Sequence, residues 1–183
     1  MKTNTIIILI VSLGLFACGN KFEKEIGEVD GLISMADEVE KSILSVDTSR
    51  AFSVKRQMEK DLKMLDQFSD TIDKSTAIKL GEYYSGKKRV FAFYNNYLQF
   101  VSKINYTKDQ LRNMKQDLEN GVMPEDKFED YYKTEQVYLM ELSSQVNHSL
   151  EGLDQTITYF ETSKNEIETI LESLRQKEAG NEE

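Results

Sequence analysis

From Leu139 onward the apolar residues recur at spacings of three and four: Leu139, Leu142, Val146, Leu150, Leu153, Ile157, Phe160, then Ile167, Leu171 and Leu174, with Lys164 filling the one gap. That alternation puts every one of these side chains on a single stripe of an α-helix, as in a coiled-coil-like seam. One repeated four-residue step, from Val146 to Leu150, marks a slight change of phase. Carried back through Tyr138, Glu135, Tyr131 and Phe128, the stripe starts just after Pro124. Proline suits the first turn of a helix, and Glu125 and Asp126 sit favourably at the positive end of its dipole. The pattern predicts one helix of about 50 residues, roughly 75 Å long.

A first segment shows the same periodicity, with Phe22, Ile26, Val29, Ile33, Ala36, Ile43 and Val46, then Ala51, Val54, Met58, Leu62, Leu65 and Phe68. Between its halves lies Val46-Asp47-Thr48-Ser49, rich in residues that cap helices, which predicts a kink or short break. The second segment is less regular. Gly81 and Gly86 precede the aromatic run Val90, Phe91, Phe93, Tyr94, Tyr97 and Phe100, and aromatics on more than one face imply a helix with two neighbours. Thr107-Lys108-Asp109-Gln110 has the form of a capping box that restarts or reinforces a helix, which then stops at Asn120-Gly121. The expected fold is therefore all-α: an elongated antiparallel bundle of three long, coiled-coil-like helices joined near residues 69–75 and 120–124, or four if the first breaks at Asp47. The bundle would span residues 23–178, with 179–183 as a polar tail.

The first residues follow a different rule. Lys2 is followed by the apolar stretch from Ile6 to Phe16, which closes on Ala17-Cys18-Gly19, the layout of a secretory signal. A permanent span needs about 20 apolar residues, more than this stretch holds. Leu15-Phe16-Ala17-Cys18 resembles the lipobox of bacterial lipoproteins. The resemblance implies a signal peptide over 1–17, a lipidated Cys18 at the mature N-terminus, a short tether over 18–22, and attachment to a membrane through that lipid. Cys18 is the single cysteine of the chain, so it has no intramolecular disulfide partner. Gly19 stands where such lipoproteins carry an inner-membrane retention aspartate, so the resemblance favours the outer membrane in a host with two.

Composition supports long helices. The 183 residues include one proline and nine glycines, too few to punctuate a fold rich in tight turns. Without the first 17 residues, 22 basic face 32 acidic side chains, a net charge of −10. Phosphate recognition rests on clustered Lys and Arg, so the balance argues against nucleic acid as a partner.

Little catalytic chemistry can be assembled from what remains. His148 is the lone histidine, whereas di-iron bundles need paired Glu-x-x-His motifs and zinc sites several His or Cys ligands. No Gly-x-Ser-x-Gly elbow or lysine-bearing phosphate loop is present. Carboxylate groups such as Glu38 with Glu40, or Asp126 with Glu129 and Asp130, fit a solvated acidic face. The expectation is no enzyme, no metal and no cofactor. Tyr83, Tyr84, Tyr94 and Tyr97 read as core and rim of the bundle, or alternatively as the lining of a groove for an apolar, sugar or protein ligand. Tyr106-Thr107-Lys108-Asp109-Gln110-Leu111 resembles the Leu-Thr-x-x-Gln motif of the small helical stress chaperones Spy and CpxP, and that resemblance implies a chaperone role as an alternative. The leading expectation is a non-enzymatic envelope lipoprotein that recognises another envelope protein, or itself, through its helical faces.

Overall fold

The computed structural model describes residues 21–68 and 72–179. Among them the chain is all-α, without strands. In order come α1 (Glu23–Leu44), α2 (Thr48–Leu65), a single 3-10 turn at Asp66–Phe68, α3 (Lys74–Tyr83), α4 (Lys87–Glu119), α5 (Glu125–Leu150) and α6 (Leu153–Ala179). No described helix is long and apolar enough to cross a membrane.

Contacts between elements fix the directions. Asp30 pairs with Lys115 and Asp37 with Lys108, each at 2.7 Å, so α1 and α4 run antiparallel. Lys21 pairs with Glu125, and Arg50 with Asp154 at 2.7 Å, so the α1–α2 rod and the α5–α6 rod run side by side in the same direction. The result is the expected antiparallel bundle of three long segments, with α3 packed on α6 as a supplement at one end. The apolar stripe of the third segment is buried as its periodicity requires: Leu139, Leu142, Val146, Leu153, Ile157, Phe160, Ile167, Leu171 and Leu174 are all inside.

The apolar interior is divided in two. A first core joins α1, the C-terminal two thirds of α4 and α5 around Val29, Ala36, Ile43, Ile104, Leu111 and Leu139. A second joins α2, α3, the start of α4 and α6 around Met58, Tyr83, Phe93 and Phe160. Tyr97 and Leu150 lie against both, which places the waist of the rod between them.

Helix ends show where local sequence governs. Asp47 caps α2, its carboxylate accepting from the Arg50 amide at 2.9 Å, so the expected break in the first segment occurs there. Asp73 caps α3 through the amides of Ser75 and Thr76 and also accepts from their hydroxyls; these bonds hold its carboxyl well below the usual range. Gly121, at φ 66°, ends α4 in the left-handed conformation that glycine tolerates.

Two expectations are corrected. The third segment is not one helix of about 50 residues. It breaks at Glu151-Gly152, where Gly152 takes φ 67° and α6 starts afresh at Leu153. The seam persists across the break because both halves turn the same stripe towards α4. Nor does Thr107 cap a helix. α4 is continuous from Lys87 to Glu119, Thr107 is fully buried, and its hydroxyl donates to the Lys103 carbonyl one turn earlier at 3.1 Å. Packing in the first core keeps the helix intact through a stretch that could locally have begun one.

Leu139→Ala should lose about 2–5 kcal/mol in urea unfolding, the range for emptying a closed leucine site. A β-carbon at position 152 would meet left-handed backbone strain and the Arg89 guanidinium carbon at 3.3 Å. Gly152→Ala is therefore expected to cost more than Gly121→Ala, whose strain alone is about 1–2 kcal/mol, since nothing lies within 4 Å of that position. Equal losses in the two variants would refute the close approach of Arg89.

Candidate functional site

The waist is where the rods break and the side chains are most varied in chemistry. On one side, α2 meets the start of α6. Arg50 bridges this junction: its guanidinium donates to Asp154 at 2.7 Å, to the Thr158 hydroxyl at 2.8 Å and to Glu161 at 2.9 Å. Those bonds raise the Arg50 pKa, the Glu161 hydrogen bond most. Beside this clamp Val46, Leu150, Leu153 and Ile157 line a small groove of about 330 Å³.

On the other side, the first half of α4 faces the end of α5 across a groove of about 530 Å³. Lys88, Arg89, Asn96 and Gln99 come from α4, Gln145 and His148 from α5, and the buried ring of Phe100 forms the floor. The short 120–124 connection and the packing of α4 on α5 bring Asn96 and Gln99 into one groove with Gln145 and His148. Arg89 is held in place: its Nη1 donates to the Thr156 hydroxyl at 3.1 Å, and that hydroxyl donates to the Gly152 carbonyl at 2.9 Å. The Ser149 hydroxyl at the groove is buried and makes no hydrogen bond. His148 therefore has a definite setting, in a groove shared with cations, amides and the carboxylate of Glu151. Among the described residues no group of three or more His, Cys, Asp or Glu is placed to hold a metal.

The four tyrosines do not line one surface. Tyr83 and Tyr84 are buried in the second core, where the Tyr83 ring stacks on Phe160 at 4.5 Å between centroids. Tyr94 and Tyr97 lie farther along α4 and pack edge-on against Phe52 of α2, at 4.9 and 5.8 Å. Lys55 sits over the Tyr94 ring at 4.6 Å. The aromatic run is thus shared between a core and a lateral α2–α4 contact. Tyr106 is exposed on α4, whereas Lys108 is drawn in and held by Asp37 and Glu40 of α1, which raise its pKa, Asp37 most. Within the motif from Tyr106 to Leu111, Thr107, Lys108 and Leu111 are buried, whereas Tyr106 and Asp109 are exposed and Gln110 is half-buried. Cys18 lies outside the described residues.

Sequence reasoning missed one buried acid. Asp61 is 6% exposed in the second core, where its carboxylate accepts from Gln57 Nε2 at 2.8 Å. The buried Tyr84 hydroxyl lies close enough to interact with that carboxylate but outside the geometry of a full hydrogen bond. Burial pushes the Asp61 carboxyl above its ordinary value, and burial likewise raises both Tyr83 and Tyr84. The available signal was its place on the α2 stripe, three residues after Met58, where an apolar side chain would be expected. Comparison of the chain with protein-family models, characterised proteins and solved structures gives no match.

Because the folded-state pKa of Asp61 is raised, its contribution favours folding at low pH and is lost as pH rises through the raised value. Asp61→Asn keeps an acceptor for Gln57 and removes the buried charge. The variant should melt higher than the parent at pH 7, with the gain shrinking as pH falls into the carboxylate range. A lower melting temperature at pH 7 would show that the charge is needed.

Proposed function

We propose that the chain is a non-enzymatic envelope lipoprotein, a helical rod held to a membrane by a lipid on Cys18 and working as a protein-interaction module. One observation carries this reading. Phe22 is already buried in the first core and α1 starts at Glu23, so four peptide units separate Cys18 from the packed bundle. Such a stretch reaches at most about 14 Å. A lipid on Cys18 would therefore hold the end of the rod that carries the 120–124 turn close to the bilayer.

From that end the 26 residues of α5 and 27 of α6 extend roughly 80 Å if fully aligned, with the waist near half height. An acidic rod gains nothing from anionic lipid, so its contact with the membrane rests on acyl chains. Its shaft displays large apolar side chains, among them Leu98 at 76% exposure, Tyr106 at 58% and Met140 at 56%. Exposed side chains of this kind on rigid helices suit recognition of another envelope protein or of a second copy. Gly19 favours the outer membrane where the host has two.

Two measurements test the proposal. Intact mass should reveal diacylglycerol on the wild-type chain, and Cys18→Ala should lose both that mass and the membrane fraction. A mature wild-type protein without lipid would refute the anchor. For the module, cross-linking with mass spectrometry in intact cells should join the Leu98 and Tyr106 face to a protein partner. Leu98→Asp with Tyr106→Asp should weaken those cross-links while leaving the melting temperature unchanged. Recovery of neither a partner nor a self-contact would overturn it.

A further inference from the structure

The groove between α4 and α5 contains more polar capacity than the fold uses. Lys88 and Arg89 bring positive charge from α4 beside the imidazole of His148 on α5, in a chain whose net charge is −9. Among the described residues none of the three forms an ion pair. Helix stability does not account for the two α4 cations either: the first turn of α4 reads Lys87-Lys88-Arg89 without an acidic residue, an order that opposes the helix dipole.

The amides nearby are equally uncommitted. Asn96, Gln99 and Gln145 form no side-chain hydrogen bond among the described residues, and each offers both donors and an acceptor. Ser149 adds a buried hydroxyl without a partner, and Glu151 supplies an acceptor at the rim. Arg89, fixed by Thr156, spends one N–H of its five on the protein and keeps the rest of its planar fork. The volume of about 530 Å³ falls in the range of small-molecule sites.

A ligand that satisfies this set needs an anionic group for the cations and several groups that both donate and accept for the amides and Glu151. Hydroxyls do both. We propose that the groove binds an acidic saccharide, a sugar bearing a carboxylate or phosphate, with its anion at Arg89 and Lys88 and its hydroxyls along Asn96, Gln99 and Gln145. Phe100 supplies an apolar floor for the ring. This site does not depend on the lipid anchor.

Isothermal titration calorimetry on the full chain tests the assignment, with D-glucuronate, D-glucose 6-phosphate, D-glucose and acetate as probes. At least one acidic sugar should bind, and the neutral sugar and the simple anion should each bind about tenfold more weakly or not at all. The ratio between the two acidic sugars tells whether carboxylate or phosphate is the preferred anion. Lys88→Gln and His148→Gln should each weaken the acidic sugar several-fold with the melting temperature unchanged, because both side chains are exposed and form no side-chain hydrogen bond or ion pair among the described residues. Paired Gln99→Ala and Gln145→Ala substitutions should weaken it as well. Failure of both acidic sugars to bind at millimolar concentration would overturn the proposal. So would equal binding of glucose or acetate, or unchanged affinity in the Lys88 and His148 variants.

Discussion

α4 is the one described helix that contributes buried residues to both cores, and the rest of the bundle is arranged around it. Its first turns give Val90 and Phe93 to the second core, and its later turns give Phe100, Ile104, Leu111, Met114 and Leu118 to the first. α1 and α5 pack on one end of this helix, α2 and α6 on the other, with α3 held on α6. A helix enclosed by neighbours along its length must be apolar on more than one face, which explains why its aromatic run looked irregular beside the clean stripes of the outer rods. Because α4 does not break, the two outer rods can change direction at the waist without separating the cores. Glu151-Gly152 and Ser45-Val46-Asp47 supply those changes at matching levels, as the Arg50–Asp154 pair across them requires.

The charge of the surface is organised by this geometry. Along the seam between α1 and α4, Lys108 and Lys115 are met by Asp37, Glu40 and Asp30, and across the α2–α6 junction Arg50 is met by Asp154 and Glu161. Exposed pairs of this kind contribute little to stability, but they favour one register over its neighbours. Lys108 differs from the rest in being nearly buried, so its two carboxylate partners offset a real desolvation penalty. The groove on the far side of the waist lacks this matching, since among the described residues Lys88, Arg89 and His148 form no ion pair and share the groove with amides, a hydroxyl and the single acid Glu151. That contrast, and not the total charge of the chain, distinguishes the groove from the solvated surface.

Burial of Asp61 introduces a different tension. It lies among apolar and aromatic side chains of the second core, with Gln57 as its hydrogen-bond donor and Tyr84 alongside. A core built from a thin bundle has few positions to spare, and one of them is given to an ionisable group. The second core is consequently a part of the rod whose stability depends on proton concentration, because its buried carboxyl is held above its ordinary value.

By itself the sequence determined what depends on neighbours within a turn or two. Stripes at spacings of three and four identify the buried face of each rod, as Leu139 through Leu174 illustrate, because a helix repeats its faces every 3.6 residues wherever it lies. Asp47 and Asn120-Gly121 mark helix ends because capping and left-handed backbone are local chemistry. The tertiary structure alone decided continuity and juxtaposition. An unbroken stripe reports which face is buried and not whether the axis is straight, so the stop at Gly152 was hidden inside a regular seam. Thr107 shows the converse, a local start signal overridden by packing. The meeting of Lys88 and Arg89 with His148, about sixty residues away along the chain, depends on the register between α4 and α5. That register is set by the short turn after α4 and by the fit of two apolar faces, which no local pattern encodes.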